Sequence, residues 1–377
     1  MNKNYETAII GAGINGSALA YTLSQKSDKK IVVFDMISIA GGGSGSAGAF
    51  IAPKFSKMGE LRELLNNAFI YSMKFYSKNF SQFLTKAPLL HIAQDRKSSE
   101  VLKIYKQTTK LQLKTPSQEI MDSLTDEAKE YENICLDTGV VDAMGICTAM
   151  CKNIDFIQEE VISLVYEKNH CIINNKYLVK DIILATGAYK KLIRENYITL
   201  RGIWGHRVDI KSKKYDSSYF IHHYLSTSNS KDNILSIGAT HNLKYNPQTS
   251  KEPYDIEKGR AELLEKMSRT VAIDDIEIIK DYTGLRSGTV DYMPLIGSLV
   301  ISEKTLQNKT LRFDTKKVDY TKYDYYPNLY VINGSGGYGF VLAPYLAEIL
   351  SEHILHKTPI EKSLLPARFF ARWARRL

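Results

Sequence analysis

The sequence predicts an α/β fold: a Rossmann-like nucleotide-binding domain, discontinuous along the chain, carrying an inserted α+β domain built on an antiparallel sheet. Three observations predict it. A glycine-rich strand-to-helix turn opens the chain, a second lies near its end, and a buried strand ending in Ala-Thr-Gly stands between them. One nucleotide site assembled from such distant segments implies a domain that the chain leaves and re-enters.

Residues 7–20 read Thr-Ala-Ile-Ile-Gly-Ala-Gly-Ile-Asn-Gly-Ser-Ala-Leu-Ala. Ala8, Ile9 and Ile10 form a short buried strand, and 17–23 reads as a helix. Between them Gly11, Gly13 and Gly16 make G-x-G-x-x-G, with Ala12, Ile14 and Asn15 filling the loop. Glycine serves the tight turn, the close approach of backbone to a pyrophosphate, and the packing of helix on sheet. The helix start adds unpaired N–H groups and a partial positive charge. Alone, the pattern also fits an ordinary turn. A second strand, 30–34, ends in Asp35, an acid placed to bond ribose hydroxyls; a plain strand-end turn is its alternative. Gly41 to Gly48 follows too soon after that strand for an interdomain linker. Its small residues let backbone approach a ligand, so Gly43, Ser44, Ser46, Ala47 and Gly48 are expected at the cofactor.

The periodicity of 61–83 is helical, and its aromatic stripe reads as core. Residues 89–92 are a strand, 101–111 and 117–124 are helices, and this block reads as an insertion. The chain returns at 139–142, with a helix at 143–152. Residues 156–166 alternate as one strand, pairing as a hairpin with 171–177 through Glu167, Lys168 and Asn169; Val161 of this strand is expected at the cofactor. Residues 181–188 are a buried strand ending in Ala185-Thr186-Gly187-Ala188. Residues 201–206 open a strand-rich stretch continuing through 219–225 and 235–240, followed by a helix at 257–270 and a strand at 276–282. Arg286 stands between Gly284 and Gly288, ahead of an apolar strand. A fixed guanidinium binds a carboxylate through two parallel hydrogen bonds; a surface ion pair is the alternative. A strand at 328–332 runs into Asn333-Gly334-Ser335-Gly336-Gly337-Tyr338-Gly339-Phe340, and a helix covers 341–353. So many glycines before a helix would weaken a merely structural loop, and backbone N–H groups there can face an anion or an electron-rich ring. Residues 1–60, 134–205 and 284–377 are assigned to the nucleotide-binding domain, and 61–133 and 206–283 to the substrate domain.

The 377 residues suffice for two domains, and 44% hydrophobic content supports a full core. No apolar run is long enough to span a membrane, and the N-terminus lacks a secretory pattern, so a cytoplasmic protein without membrane association is expected. Cys135, Cys147, Cys151 and Cys171 form no C-x-x-C, and no metal site is expected. The net charge is +9. Arg368, Arg372, Arg375 and Arg376 in the last ten residues, interleaved with Phe369, Phe370 and Trp373, suit a nucleic-acid backbone, or else a helix whose arginines are merely solvated. A site closed from the C-terminal end suits a large cofactor such as FAD.

In this order the motifs resemble the D-amino-acid oxidase/glycine oxidase superfamily of flavoproteins, and the resemblance covers essentially the whole chain. It implies an FAD-binding domain of the glutathione-reductase type and an oxidoreductase acting on CH–NH groups. Three stretches are more specific: 49–76, 286–297, and the end, with Ala343-Pro344-Tyr345-Leu346 and Leu365-Pro366-Ala367-Arg368-Phe369. They resemble the FAD-dependent domain of the bifunctional proteins that modify the tRNA wobble uridine. That resemblance implies oxidation of the carboxymethylaminomethyl group, with glyoxylate released and aminomethyluridine left. Arg286 would hold the carboxylate, His206 and Tyr338 would contact substrate, and tRNA would be the partner. Residues 11–16, Asp35, Gly43, Ser44, Ser46, Ala47, Gly48, Val161, Ala185, Thr186, Gly187, Gly334, Gly336, Gly337, Tyr338, Gly339 and Phe340 would hold FAD. Two departures stand out: Asp35 where the family has glutamate, and His206 where it has glutamine. No cysteine lies near 333–345 or Arg286, so the flavin is expected to be non-covalent; a fused methyltransferase step is not expected. The competing expectation is a small-molecule amine or amino-acid oxidase acting on glycine, sarcosine or a D-amino acid. Oligomeric state is left open.

Overall fold

The computed structural model describes residues 3–167, 170–189, 192–313 and 318–377. The chain divides into two compact units, the first made of 1–45, 144–202 and 286–377, the second of 46–143 and 203–285.

The first unit is built on a sheet that runs Leu295–Val300, Tyr325–Asn333, Tyr177–Leu184, Lys3–Ile10, Ile31–Asp35, Asp155–Gln158 across space. Neighbours from Tyr325–Asn333 onward are parallel, and Leu295–Val300 closes one edge antiparallel. Parallel strands are covered on both faces and therefore read as continuous apolar runs. Ile31–Asp35 is an example, buried at every position but the last. The register sets Ile10 beside Phe34 and Leu184, and Leu184 beside Val331. The carboxyl ends of four strands therefore align, and Gly11, Asp35, Ala185 and Asn333 stand together at the edge where open α/β sheets take their ligands.

Two helices leave that edge. Ile14–Lys26 follows the first glycine turn, and Gly339–His356 follows the second. They pack side by side in the same direction. Ser335 Oγ bonds Asn15 Oδ1 at 3.1 Å near their starts, and Lys26 Nζ reaches Glu348 and Glu352 at 2.5 Å further along. The helix Ala367–Ala374 closes the core, placing Phe369 and Phe370 among Leu295, Leu299, Tyr197 and Val331.

The second unit carries a sheet in the order Glu277–Thr289, Leu200–Lys211, Ile234–Gly238, Ser226–Thr227, Phe220–His222, Leu84–Ile92, Asn133–Val141, Phe50–Ile51. It is mixed, not purely antiparallel: Phe220–His222 runs parallel to Leu84–Ile92. The helix Ile256–Ser268 covers one face through Leu263 and Met267, which meet Val208, Ile210 and Ile237.

Three expectations change. Residues 46–60 and 134–143 fall in the second unit, because Phe50–Ile51 and Asn133–Val141 pair with each other and Asn133–Val141 with Leu84–Ile92. The single strand expected at 156–166 is two, Asp155–Gln158 and Leu164–Tyr166. The Asn174 side chain imposes the break: Oδ1 accepts from the N–H groups of Ile162 and Ser163, and Nδ2 donates to Glu159. Leu164–Tyr166 still pairs with Cys171–Ile173, while Lys168 and Asn169 of the expected turn lie outside the described residues. The strand expected at 276–282 runs on to Thr289 and carries Arg286, which stands ahead of the apolar strand Leu295–Val300 as expected.

Candidate active site

The first glycine turn is fixed by steric necessity at two positions. Gly11 has φ +110°, and a Cβ there would overlap the carbonyl of Ala185; a Cβ at Gly16 would overlap the carbonyl oxygen of Gly11. The turn is thus pressed between its own strand and the Ala185-Thr186-Gly187 turn. Its other contacts come from expected residues. Asp35 accepts from Ala12 N–H at 2.9 Å through Oδ2 and from Ile37 N–H at 2.9 Å through Oδ1. Ser44 Oγ accepts from Ile14 N–H at 3.0 Å. The N-cap residues of the two helices, Gly13 and Tyr338, supply no side-chain cap, and neither first turn holds an acid. Two helix starts, brought together by the Ser335–Asn15 bond, form one electropositive corner suited to a pyrophosphate. Gly43 shares the Gly41–Gly45 turn, and Val161 is buried among Phe34, Ile10 and Ile173.

The second glycine turn is positioned by a residue that sequence reasoning passed over. Asn333 is buried at the end of its strand. Its Nδ2 donates to Gly187 O at 3.0 Å, and its Oδ1 accepts from Ser287 Oγ at 2.9 Å and from Gly334 N–H at 2.8 Å. One amide therefore ties the Ala-Thr-Gly turn, the Arg286 strand and the glycine loop. The signal was an asparagine directly before glycine, which reads locally as an ordinary turn. A bridge between Gly288 and Ser335 adds a second tie.

These ties set Arg286 over the loop: a Cβ at Gly337 would lie 3.9 Å from its Nη1. Burial draws the Arg286 pKa below the ordinary arginine value, since a cation removed from water loses solvation. Tyr338 and Gly336 belong to the same short 3₁₀ turn, and Gly339 and Phe340 begin the helix. A guanidinium above a loop of backbone N–H groups is a place for an anion.

The remaining expected residues lie in the second unit. Ser46 Oγ donates to Thr283 O at 2.6 Å, and Gly48 packs on Phe50, with Ala47 between them. His206, expected at the substrate, is an interior side chain. It is 0% exposed, its Nε2 lies 2.8 Å from Asp281 Oδ1, and Gly259 and Tyr254 crowd its ring. Asp281 is held below the usual carboxylate range first by its hydrogen bond to Arg260 and then, against the opposing effect of burial, by His206. The C-terminal arginines divide as well. Arg368 bonds Asp291 at 3.0 and 3.2 Å and Met293 O at 2.6 Å, so it is structural, whereas Arg372, Arg375 and Arg376 are exposed.

The profile of the DAO family, FAD dependent oxidoreductase, matches residues 6–353. The chain belongs to this family. It is an FAD-dependent oxidoreductase, and the paired glycine turns, Asp35 and Ser44 fit that cofactor. The chain is 26% identical over 407 residues to the tRNA 5-methylaminomethyl-2-thiouridine biosynthesis bifunctional protein MnmC of Leptospira interrogans, and 25% over 404 residues to that of Leptospira borgpetersenii. These alignments take in 98% of the chain but 61% of each relative, so the chain spans about three fifths of their length. Its fold is that of glycine oxidase from Bacillus cereus (TM-score 0.73, 18% identity, 94% of this chain and 96% of the other). L-proline dehydrogenase from P. horikoshii is equally similar (TM-score 0.74, 17% identity, 98% of both chains). No helix among the described residues is long and apolar enough to cross a membrane.

Proposed function

We propose that this oxidoreductase acts on the glycine-like secondary amine of carboxymethylaminomethyluridine in a tRNA wobble position, giving aminomethyluridine and glyoxylate. The observation that carries it is Arg286 standing over the Gly336–Gly337 loop, in a chain aligned over 98% of its length with MnmC proteins. Arg286 takes the substrate carboxylate through two parallel hydrogen bonds and recovers the solvation lost on burial. That grip fixes the carbon between carboxylate and nitrogen, so position and electrostatics do the work of the protein. FAD, held non-covalently, supplies the acceptor for the hydride leaving that carbon. The amine gives up its proton, a C=N bond forms, and water cleaves it to the primary amine and glyoxylate. The expected cofactor set (residues 11–16, Asp35, Gly43, Ser44, Ser46, Ala47, Gly48, Val161, 185–187, 334, 336–340) is proposed to hold FAD, with Tyr338 beside the substrate.

A second reading rests on the same residue: Arg286 fits the carboxylate of free glycine, sarcosine or a D-amino acid equally well. Anaerobic mixing separates the two. Bleaching of the flavin by tRNA bearing carboxymethylaminomethyluridine, with glyoxylate released, is the expected result. Bleaching by a free amino acid, with none by that tRNA, transfers the protein to the small-molecule oxidases.

A further inference from the structure

Of the chain's nine surplus positive charges, eight belong to the first unit, whose segments hold 25 Lys and Arg against 17 Asp and Glu. Part of that surplus gathers around one turn. Residues 289–293 leave the Arg286 strand and reverse, with Tyr292 at φ +63° and 71% exposed. A bulky side chain is rarely held in the left-handed region, and such a conformation persists only where its surroundings over-determine it. Here they do. Thr289 Oγ1 donates to Met293 O at 2.8 Å, Met293 N–H donates to Asp291 Oδ1 at 3.2 Å, and Arg368 holds both Asp291 and Met293 O. The turn is clamped so that one aromatic ring stands out into solvent.

Two arginines, Arg368 and Arg372, stand at the turn itself. Arg372 Nη2 lies 3.7 Å from Asp291 Oδ2. Tyr320 is half-buried, in the field of the same Arg368 and Arg372 and of Arg375, and Lys362 Nζ stands 5.9 Å from its ring centre. The helix Ala367–Ala374 turns Phe369 and Phe370 into the core and Arg372 outward, with Arg375 exposed just beyond its end.

We propose that this face of the first unit is an RNA-docking surface, in which Tyr292 stacks an unpaired base while Arg372, Arg375 and Lys362 take flanking phosphates. The proposal rests on the tRNA reading above. Exposed rings flanked by cations bind unpaired nucleotides through stacking and counterion release. An anionic lipid surface is disfavoured, because the apolar side of Ala367–Ala374 is spent in the core and presents nothing to a bilayer.

The test uses the full chain with FAD bound, and tRNA carrying the modified uridine. Tyr292→Asn removes the ring and keeps a residue that tolerates positive φ. Arg372→Gln with Arg375→Gln removes two phosphate contacts. Flavin content and melting temperature establish that each variant is folded. Expected are a rise of about tenfold in Kd for Tyr292→Asn, and for the double variant a fall of about 1.4 in the slope of log K against log salt. If the parent protein binds and oxidises the tRNA while both variants bind it unchanged at every salt concentration, the surface assignment is overturned and the substrate reading stands. If the parent protein neither binds nor oxidises the tRNA, both fall together. Equal loss of binding to phosphatidylserine vesicles, without effect on tRNA, would make the surface a lipid site and overturn the proposal.

Discussion

At Arg286, burial and binding are set against each other. The guanidinium is kept where its charge is poorly solvated, so a carboxylate arriving there regains what folding took away. Arg286→Ala is expected to keep the yellow flavin and to lose about a hundredfold or more in kcat/KM; Arg286→Lys, which has charge but no planar fork, should recover little of it. Steady-state kinetics with an absorbance spectrum decide, and parent-like turnover by Arg286→Ala would remove its role. Arg368 shows the opposite use of the same side chain. Burial by itself would raise the Asp291 pKa, but the hydrogen bonds and charge of Arg368 outweigh it and hold the carboxyl below its usual range. A depressed carboxyl pKa stabilises the fold above the unfolded-state value and ceases to do so as pH falls through the folded one. Arg368→Gln should therefore cost about 1–3 kcal/mol at neutral pH, and the gap from the parent protein should narrow below about pH 4. Urea midpoints measured at pH 7 and pH 3.5 show whether it does.

Among the elements, those specified by local periodicity were readable, and those specified by distant partners were not. The glycine turn, its helix and the strand ending in Asp35 follow from short-range pattern, and so do the two helices expected at 61–83 and 257–270, found as Glu60–Asn79 and Ile256–Ser268. The strand expected at 156–166 failed because alternation continues through Val161, while the backbone there is claimed by Asn174 from beyond the hairpin. The arginine-rich end read as a nucleic-acid contact or a helix with solvated arginines because arginines dominate its composition. Its aromatics decide its place instead: Phe370 is 0% exposed and meets Tyr197, Phe313 and Tyr323 edge-on. Phe370→Ala should cost about 3–5 kcal/mol, seen as a lowered denaturant midpoint. Removal of 368–377 should then impair folding before it can report on RNA. Asn333 was hidden for a related reason, since its three partners lie at 187, 287 and 334, and no local window contains them.

For the molecule as a whole, two compact units account for the chain, and the first is assembled from three separate segments. The corner proposed to hold the cofactor draws on both glycine turns, joined by a hydrogen bond between residues 320 positions apart in sequence. A chain ending at 333 would retain the first turn, Asp35 and the Ala185-Thr186-Gly187 strand, yet lack the second helix start. Such a fragment should be colourless after purification with added FAD, whereas the full chain should be yellow; a fragment that holds stoichiometric flavin would show that the N-terminal turn suffices.

The Ser335–Asn15 bond also has a meaning in time. During synthesis the first glycine turn leaves the ribosome hundreds of residues before its counterpart. For most of translation the nascent chain therefore carries half a cofactor site, and the slow, non-local contact that completes it comes late. Flavin capture is then expected only once residues 334–339 have been made, and products terminated before them are expected to stay apo.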